Sequence, residues 1–310
     1  MHALPTVLIF LILFCRNVAS SPRNNADFLV TSGGIYWCDI SSTIMRDKSK
    51  SPGVSCPRLT FLTSGTEPYE KFEMKLLNAA ENHSISLTQS SINQRKLPQR
   101  ILARRVKLSS YILLVWAIQT FRPNDRTLWL EFGVFQGTSI NITSALKKPN
   151  TGPVYGFDSF IGLPEFWENA GMAQGMFNQS GILPQVNENV QLIEGWFNET
   201  LPTFLQQHLN EKVVFVNIDN DLYNGTVDIL TLLLPKFRRH SVIHFHEFYR
   251  YRHNVTGPPH FFRENDEMRA LYDILRENID LKLQFYPYRG PNKEAAVFRF
   301  INNVKIGGGG

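Results

Sequence analysis

The sequence predicts an α/β domain: a seven-stranded, mostly parallel sheet with helices on both faces. Two observations carry the prediction. From Thr127 onward, short apolar runs alternate with helical stretches, the pattern of successive βαβ units. Several runs close on glycine or a carboxylate, as in "LWLEFG", "VYGFD" and "VFVNID". The carboxyl ends of the strands are where an open α/β sheet binds its ligands.

The seven runs are "TLWLEFG", "PVYGFD", "VQLIEG", "KVVFVNID", "SVIHFHEF", "LKLQFYPY" and "AAVFRFI". Helices are expected over 138–147, 199–209, 225–236 and 264–278, the last with Met268, Leu271, Tyr272 and Leu275 on one face. Upstream, 101–121 reads as a longer helix with apolar Ile101, Leu102, Leu108, Ile112, Val115 and Trp116, and 67–100 as a polar helical approach. Residues 21–66 are rich in Ser, Asn, Gly and Pro. The expected organisation is an accessory segment 21–100, a main domain 101–303 and a flexible tail 304–310 that ends in four glycines.

The beginning of the chain points to export. An apolar run from Leu4 to Cys15 precedes Val18-Ala19-Ser20, which fits a signal-peptidase site, so residues 1–20 read as a signal peptide. The run is shorter than the roughly 20 residues of a spanning helix, and no stable membrane span is expected after its removal. The expected location is the secretory pathway, in the ER or Golgi lumen or outside the cell. With Cys15 gone, Cys38 and Cys56 remain as an even pair; a disulfide suits that compartment, and two small buried thiols are the alternative. N-x-S/T sequons begin at Asn82, Asn141, Asn178, Asn198, Asn224 and Asn254. Asn141 and Asn224 lie inside the motifs below and are expected to carry no glycan.

The net charge of +5 comes from Lys and Arg scattered along the chain, without the basic stripe interleaved with aromatics of a nucleic-acid binder. The densest group, Arg95 to Lys107, reads as the solvated basic end of the following helix. No nucleic-acid partner is expected.

The first run continues as "LEFGVFQGTS", which sets Glu131, Gly133, Gly137 and Ser139 around a strand-to-helix turn. Glycines there let backbone approach a ligand, and the helix start offers free amides. The turn lacks the G-x-G-x-x-G dinucleotide fingerprint, and a simple tight turn is the alternative. The second run ends at Asp158, 21 residues after Gly137, where a carboxylate can accept hydrogen bonds from ribose hydroxyls or cap the next turn.

Four segments, "LEFGVFQGTS", "VYGFDSFIGLPE", "LIEGWFNETLP" and "VNIDNDLYNGT", occur in the order and approximate spacing of the TylF/MycF-like (macrocin O-methyltransferase) family. The similarity covers about 105–300. The resemblance implies a Rossmann-like class I methyltransferase fold and S-adenosylmethionine as cofactor. It implies that Glu131, Gly133, Gly137 and Ser139 lie beside the methionine and ribose, Asp158 on the ribose, and Glu194, Gly195 and Trp196 toward the adenine. It further implies that Asp219 faces the acceptor and a divalent metal, Mg or Mn, with an acidic pair after the next strand. That pair, usually Asp-Asp-Tyr, stands here as His246-Glu247-Phe248.

The chemistry gives these groups a purpose. Methyl transfer needs an oxygen nucleophile in line with the methyl carbon and a group to take its proton. Asp219 is the first candidate for base and metal ligand, Glu247 for ligand, and His246 for ligand or alternative base. Histidine in place of an acid removes a negative charge and introduces a softer nitrogen donor. Asp221 is read as facing the site or capping the next helix, His244 as a supporting or packed histidine, and 162–188 as a lid or a long connection. The expected acceptor is a hydroxyl of a small molecule or glycan, and a homo-oligomer is admitted. Two other readings stay open: a lumenal D-x-D nucleotide-sugar glycosyltransferase using Asp219 and Asp221, and a secreted, non-catalytic binding protein on the same scaffold.

Overall fold

The computed structural model describes residues 27–31, 34–38, 59–61, 68–83, 85–87, 91–93, 97, 108–168, 170–248, 267–278, 280–289 and 295–304. The expected signal peptide, the Cys38–Cys56 disulfide, the basic stretch 95–107 apart from Leu97 and the tail beyond 304 lie outside the described residues.

The seven expected strands are β5 (Leu128–Phe132), β6 (Val154–Asp158), β7 (Val190–Glu194), β8 (Val213–Ile218), β9 (Phe237–Phe245), β10 (Leu283–Arg289) and β11 (Ala296–Phe300). They lie side by side in the order β7-β6-β5-β8-β9-β11-β10. β5 to β9 pair in parallel, and β11 runs antiparallel to both β9 and β10. This is a Rossmann-like methyltransferase fold. Four further strands were not expected: β1 (Asp27–Thr31), β2 (Gly34–Cys38), β3 (Leu59–Phe61) and β4 (Ile85–Ser86) extend the sheet beyond β10 or pair with it. The accessory segment therefore contributes to the main sheet.

Helices α1 (Tyr69–His83), α2 (Ile112–Phe121), α3 (Thr138–Leu146), α4 (Phe197–Gln207), α5 (Tyr223–Leu233) and α6 (Glu267–Glu277) cover the faces. Two buried clusters show how. Phe132, Phe157, Ile218 and Phe245 pack with Phe72 of α1, Leu201 of α4, Ile229 of α5 and Met268 and Leu271 of α6. Trp129, Phe215 and Val242 pack on the opposite face with Trp116 of α2 and Ile140 of α3. β5 and β8 are buried along their whole length, which explains their continuous apolar runs. β7 at the edge is buried only at Val190 and is otherwise partly or fully open to solvent.

Boundaries differ from expectation by one to four residues where local chemistry intervenes. The helix expected over 101–121 is, within its described part, a 3₁₀ turn (Leu108–Tyr111) leading into α2. β9 begins earlier than expected, at Phe237, because a register shift around left-handed His240 lets the ladder resume beyond it. It stops at Phe245, so His246 and Glu247 stand on the bend after the strand.

From β5 the chain moves to β6 on one side, and β8 later returns to the other. That reversal opens a crevice at the carboxyl ends of β5 and β8, and there the candidate site is found.

Candidate active site

The turn after β5 is shaped by contact with β8. Gly133 has φ +84°, and a Cβ there would lie 1.9 Å from the Asp219 carbonyl oxygen. The sequence suggests a glycine kept for ligand approach; the structure shows one required by the adjoining strand end. Gly137, at φ +78° before α3, donates its amide to Val134 O at 2.8 Å. Asp158 at the end of β6 holds this turn: Oδ2 accepts from the Val134 and Phe135 amides, each at 2.8 Å, and Oδ1 accepts from the Phe160 amide at 2.8 Å. A carboxylate has about four acceptor sites, so one stays open toward the crevice.

Glu131 lies beneath the turn and does not line the crevice. It is fully buried, and Ser139 Oγ donates to its Oε1 at 2.7 Å. Burial pushes its carboxyl up to about 8, against the Ser139 and Asn217 side chains and with the Asp219 charge adding to the rise. Gly195 is likewise behind the wall: at φ +134° its amide bonds Asp158 O, and a Cβ would meet Thr200 at 2.8 Å. Trp196, next in the chain, does line the cavity.

At the ends of β8 and β9 the ladder runs one step past the strands, with Asp219 N donating to Phe132 O at 2.9 Å and His246 N to Ile218 O at 2.9 Å. This brings His246 Nδ1 to 3.1 Å from Asp219 Oδ1, an ion-pair contact whose ring nitrogen is not aligned for a hydrogen bond. The Asp219 carboxylate holds the imidazole up to about 9, against the burial that would lower it. Tyr111 stacks on the ring at 5.9 Å, and burial, then Asp219, push its hydroxyl up to about 12. His244 is buried, its Nδ1 at 2.7 Å from Asn217 Oδ1; burial holds its ring well below the usual histidine range. Asp221 is not the helix cap. α5 is capped at Leu222 with no side-chain bond, while Asp221 takes φ +67°, and Asn220 orders the turn by accepting from Thr226 Oγ1 at 2.9 Å.

A cavity of about 580 Å³ joins these strand ends. Gly133, Ser139, Asp158, Trp196, Asp219, His246 and Glu247 all line it, and Glu131, Gly137 and Gly195 support it from behind. Among the described residues that line it there is no Lys or Arg. The segment after β6 folds over one side: Leu163 and Trp167 pack on Leu222, and Glu165 Oε1 accepts from Asn224 Nδ2 at 3.0 Å. Asn141 is engaged by the same segment, accepting from the Asn187 amide at 2.8 Å and donating to Gln185 O at 3.2 Å.

Three participants escaped the sequence reading. Tyr111 sits in a 3₁₀ turn with no distinguishing motif. Asn217 is a lone amide in the apolar run "VVFVNI", and that mismatch was a readable signal. Glu267, on the apolar face of α6, is fully buried; burial, then the charges of Asp221, Asp219 and Glu247, push its carboxyl well above the usual range.

The expected metal is not supported. Among the described residues no three His, Cys, Asp or Glu side chains are grouped so as to hold an ion. Asp219 and His246 instead meet each other, one carboxylate against one imidazole.

Strand order, the glycine turn and the carboxylate at the end of β6 define a class I methyltransferase scaffold. Residues 130–248 match a family of methyltransferase domains. No curated protein matches the chain by sequence. Among solved structures, CalS11, a calicheamicin methyltransferase, is similar at 19% identity and a TM-score of 0.46, over 82% of this chain and 98% of that one. The O-methyltransferase NovP is similar at 19% identity and a TM-score of 0.39, over 63% and 78% of the two chains. PaMTH1 of Podospora anserina, an SAH-bound methyltransferase, is similar at 17% identity and a TM-score of 0.36, over 77% and 99%.

Proposed function

We propose that the chain transfers a methyl group from S-adenosylmethionine to a hydroxyl of a small molecule. One observation carries this reading: the Asp219–His246 pair faces the same cavity as the turn held by Asp158. The methyltransferase match over 130–248 supports it. When bound, S-adenosylmethionine supplies a methyl carbon made electrophilic by its sulfonium.

The chain's residues do the rest. The Gly133–Phe135 backbone and Ser139 would hold the methionine end, Asp158 with its remaining acceptor site the ribose, and Trp196 the adenine. A hydroxyl entering beside Asp219 would hand its proton to that carboxylate as its oxygen takes up the methyl group that the sulfonium gives up. His246, kept positive by Asp219, offsets the charge growing on the oxygen. The pair thus provides proton acceptor and cation.

A sugar or glycoconjugate acceptor rests on the sequence resemblance, and a place in the secretory pathway on the N-terminal apolar run and the sequons. No helix among the described residues is long and apolar enough to cross a membrane. The test is calorimetric titration of S-adenosylmethionine into the purified protein with EDTA present. Micromolar binding is expected; a folded protein that does not bind overturns the reading.

A further inference from the structure

Beneath the catalytic pair lies a row of buried polar side chains that methyl transfer does not itself require. Glu131 on β5 is in register with Asn217 on β8, and Asn217 with His244 on β9. All three are almost completely buried, at 0%, 1% and 1% exposure. Ser139 Oγ donates to Glu131 at one end, the Asn217 amide faces Glu131 without closing a bond of good geometry, and His244 Nδ1 donates to Asn217 Oδ1 at 2.7 Å. Such groups are expensive to bury, because an amide or imidazole left unpaired in a core loses its hydrogen bonds to water without replacement. Apolar residues would pack this sheet more safely, as the neighbouring Phe215 and Val242 do.

Register gives the row its use. Side chains two residues apart share a face of a strand, and both ladders continue one step past the strand ends. Asp219 and His246 are therefore the next pair above Asn217 and His244, with the two histidine rings 6.4 Å apart. A slip of either strand would separate both pairs at once, and the short Asn217–His244 bond opposes it where no water competes.

We propose that Asn217 and His244 are positioning residues that hold Asp219 and His246 in contact, with Glu131 joining the row to Ser139 on the cofactor side. The inference rests on Asp219 and His246 being the catalytic pair.

The test is a two-bond ¹H–¹⁵N spectrum of protein labelled in its histidines, saturated with S-adenosylhomocysteine at one fixed pH, with the His246 signals assigned from His246→Gln. The wild type should show a ring with both nitrogens protonated. Asn217→Leu with His244→Phe, which replaces the pair by apolar groups of similar shape, should return His246 to an ordinary neutral pattern. S-adenosylhomocysteine affinity should stay within about threefold, which reports an intact fold. His244→Gln, which keeps a donor for Asn217, should preserve the wild-type pattern. An unchanged His246 in the double variant overturns the positioning role. If Asp219→Asn also leaves His246 unchanged, the catalytic pair fails, and the two failures are distinguishable.

Discussion

Gly133 and Asp219 touch so closely that a single methyl group could not fit between them: a Cβ on Gly133 would lie 1.9 Å from the Asp219 carbonyl oxygen. The turn over the cofactor crevice and the loop bearing the proposed base are thus one packed unit. Gly133→Ala combines this clash with a left-handed backbone and should destabilise the protein by roughly 3 kcal/mol. Urea unfolding followed by circular dichroism measures it.

On the proposed reading Asp158 serves the cofactor indirectly as well as directly, since three backbone amides converge on its carboxylate. Asp158→Ala frees the Val134 and Phe135 amides and removes the ribose acceptor. Hydrogen bonds to a charged group contribute about 1.5–3 kcal/mol, so affinity for S-adenosylmethionine should fall by roughly ten- to a hundredfold. Calorimetry on the folded variant reads this; unchanged affinity would remove the role.

Asp219→Asn keeps the shape of the side chain and removes its ability to take a proton. Turnover, measured as S-adenosylhomocysteine formed in the presence of an active acceptor, should drop by about 10²–10⁴. Cofactor affinity should change little, because the turn held by Asp158 is independent of the carboxylate. An active variant would exclude Asp219 as base.

His246 also makes stability depend on pH. Its folded-state value of about 9 lies above the ordinary 6.5, so the native state binds the proton more tightly. The stabilisation is complete below about 6.5 and is lost as pH rises through about 9. Urea midpoints across that window should fall for the wild type and flatten for His246→Gln.

Glu131 has a lower window. Burial raises its carboxyl from 4.5 to about 8, and a raised acid again favours the native state at low pH. Its contribution is full below about 4.5 and disappears as pH rises through about 8. Glu131→Gln keeps an oxygen for Ser139 and should remove this slope, leaving the protein more stable than wild type above pH 8.

The β-strands from Leu128 to Phe300 were legible because strands buried on both faces are written as continuous apolar runs, and their closing residues named the crevice. The placement of Glu131 and Gly195 was not. Both belong to motifs around the crevice, yet neither lines it, since a motif records which residues recur near a ligand and not which way each side chain turns. Tyr111 was hidden for a related reason: it reaches His246 from an element more than 130 residues away in sequence, at a ring separation of 5.9 Å.

The sequence by itself determined the α/β class, the order of strands and helices along the main domain, and the set of carboxylates and histidines available for chemistry. These follow from hydrophobic periodicity and local turn chemistry, which act over a few residues. Only the tertiary structure decided that the Asn217–His244 and Asp219–His246 pairs stack one above the other, and that Asp219 meets an imidazole. Those outcomes depend on the register of β8 against β9, which side-chain packing sets across the sheet.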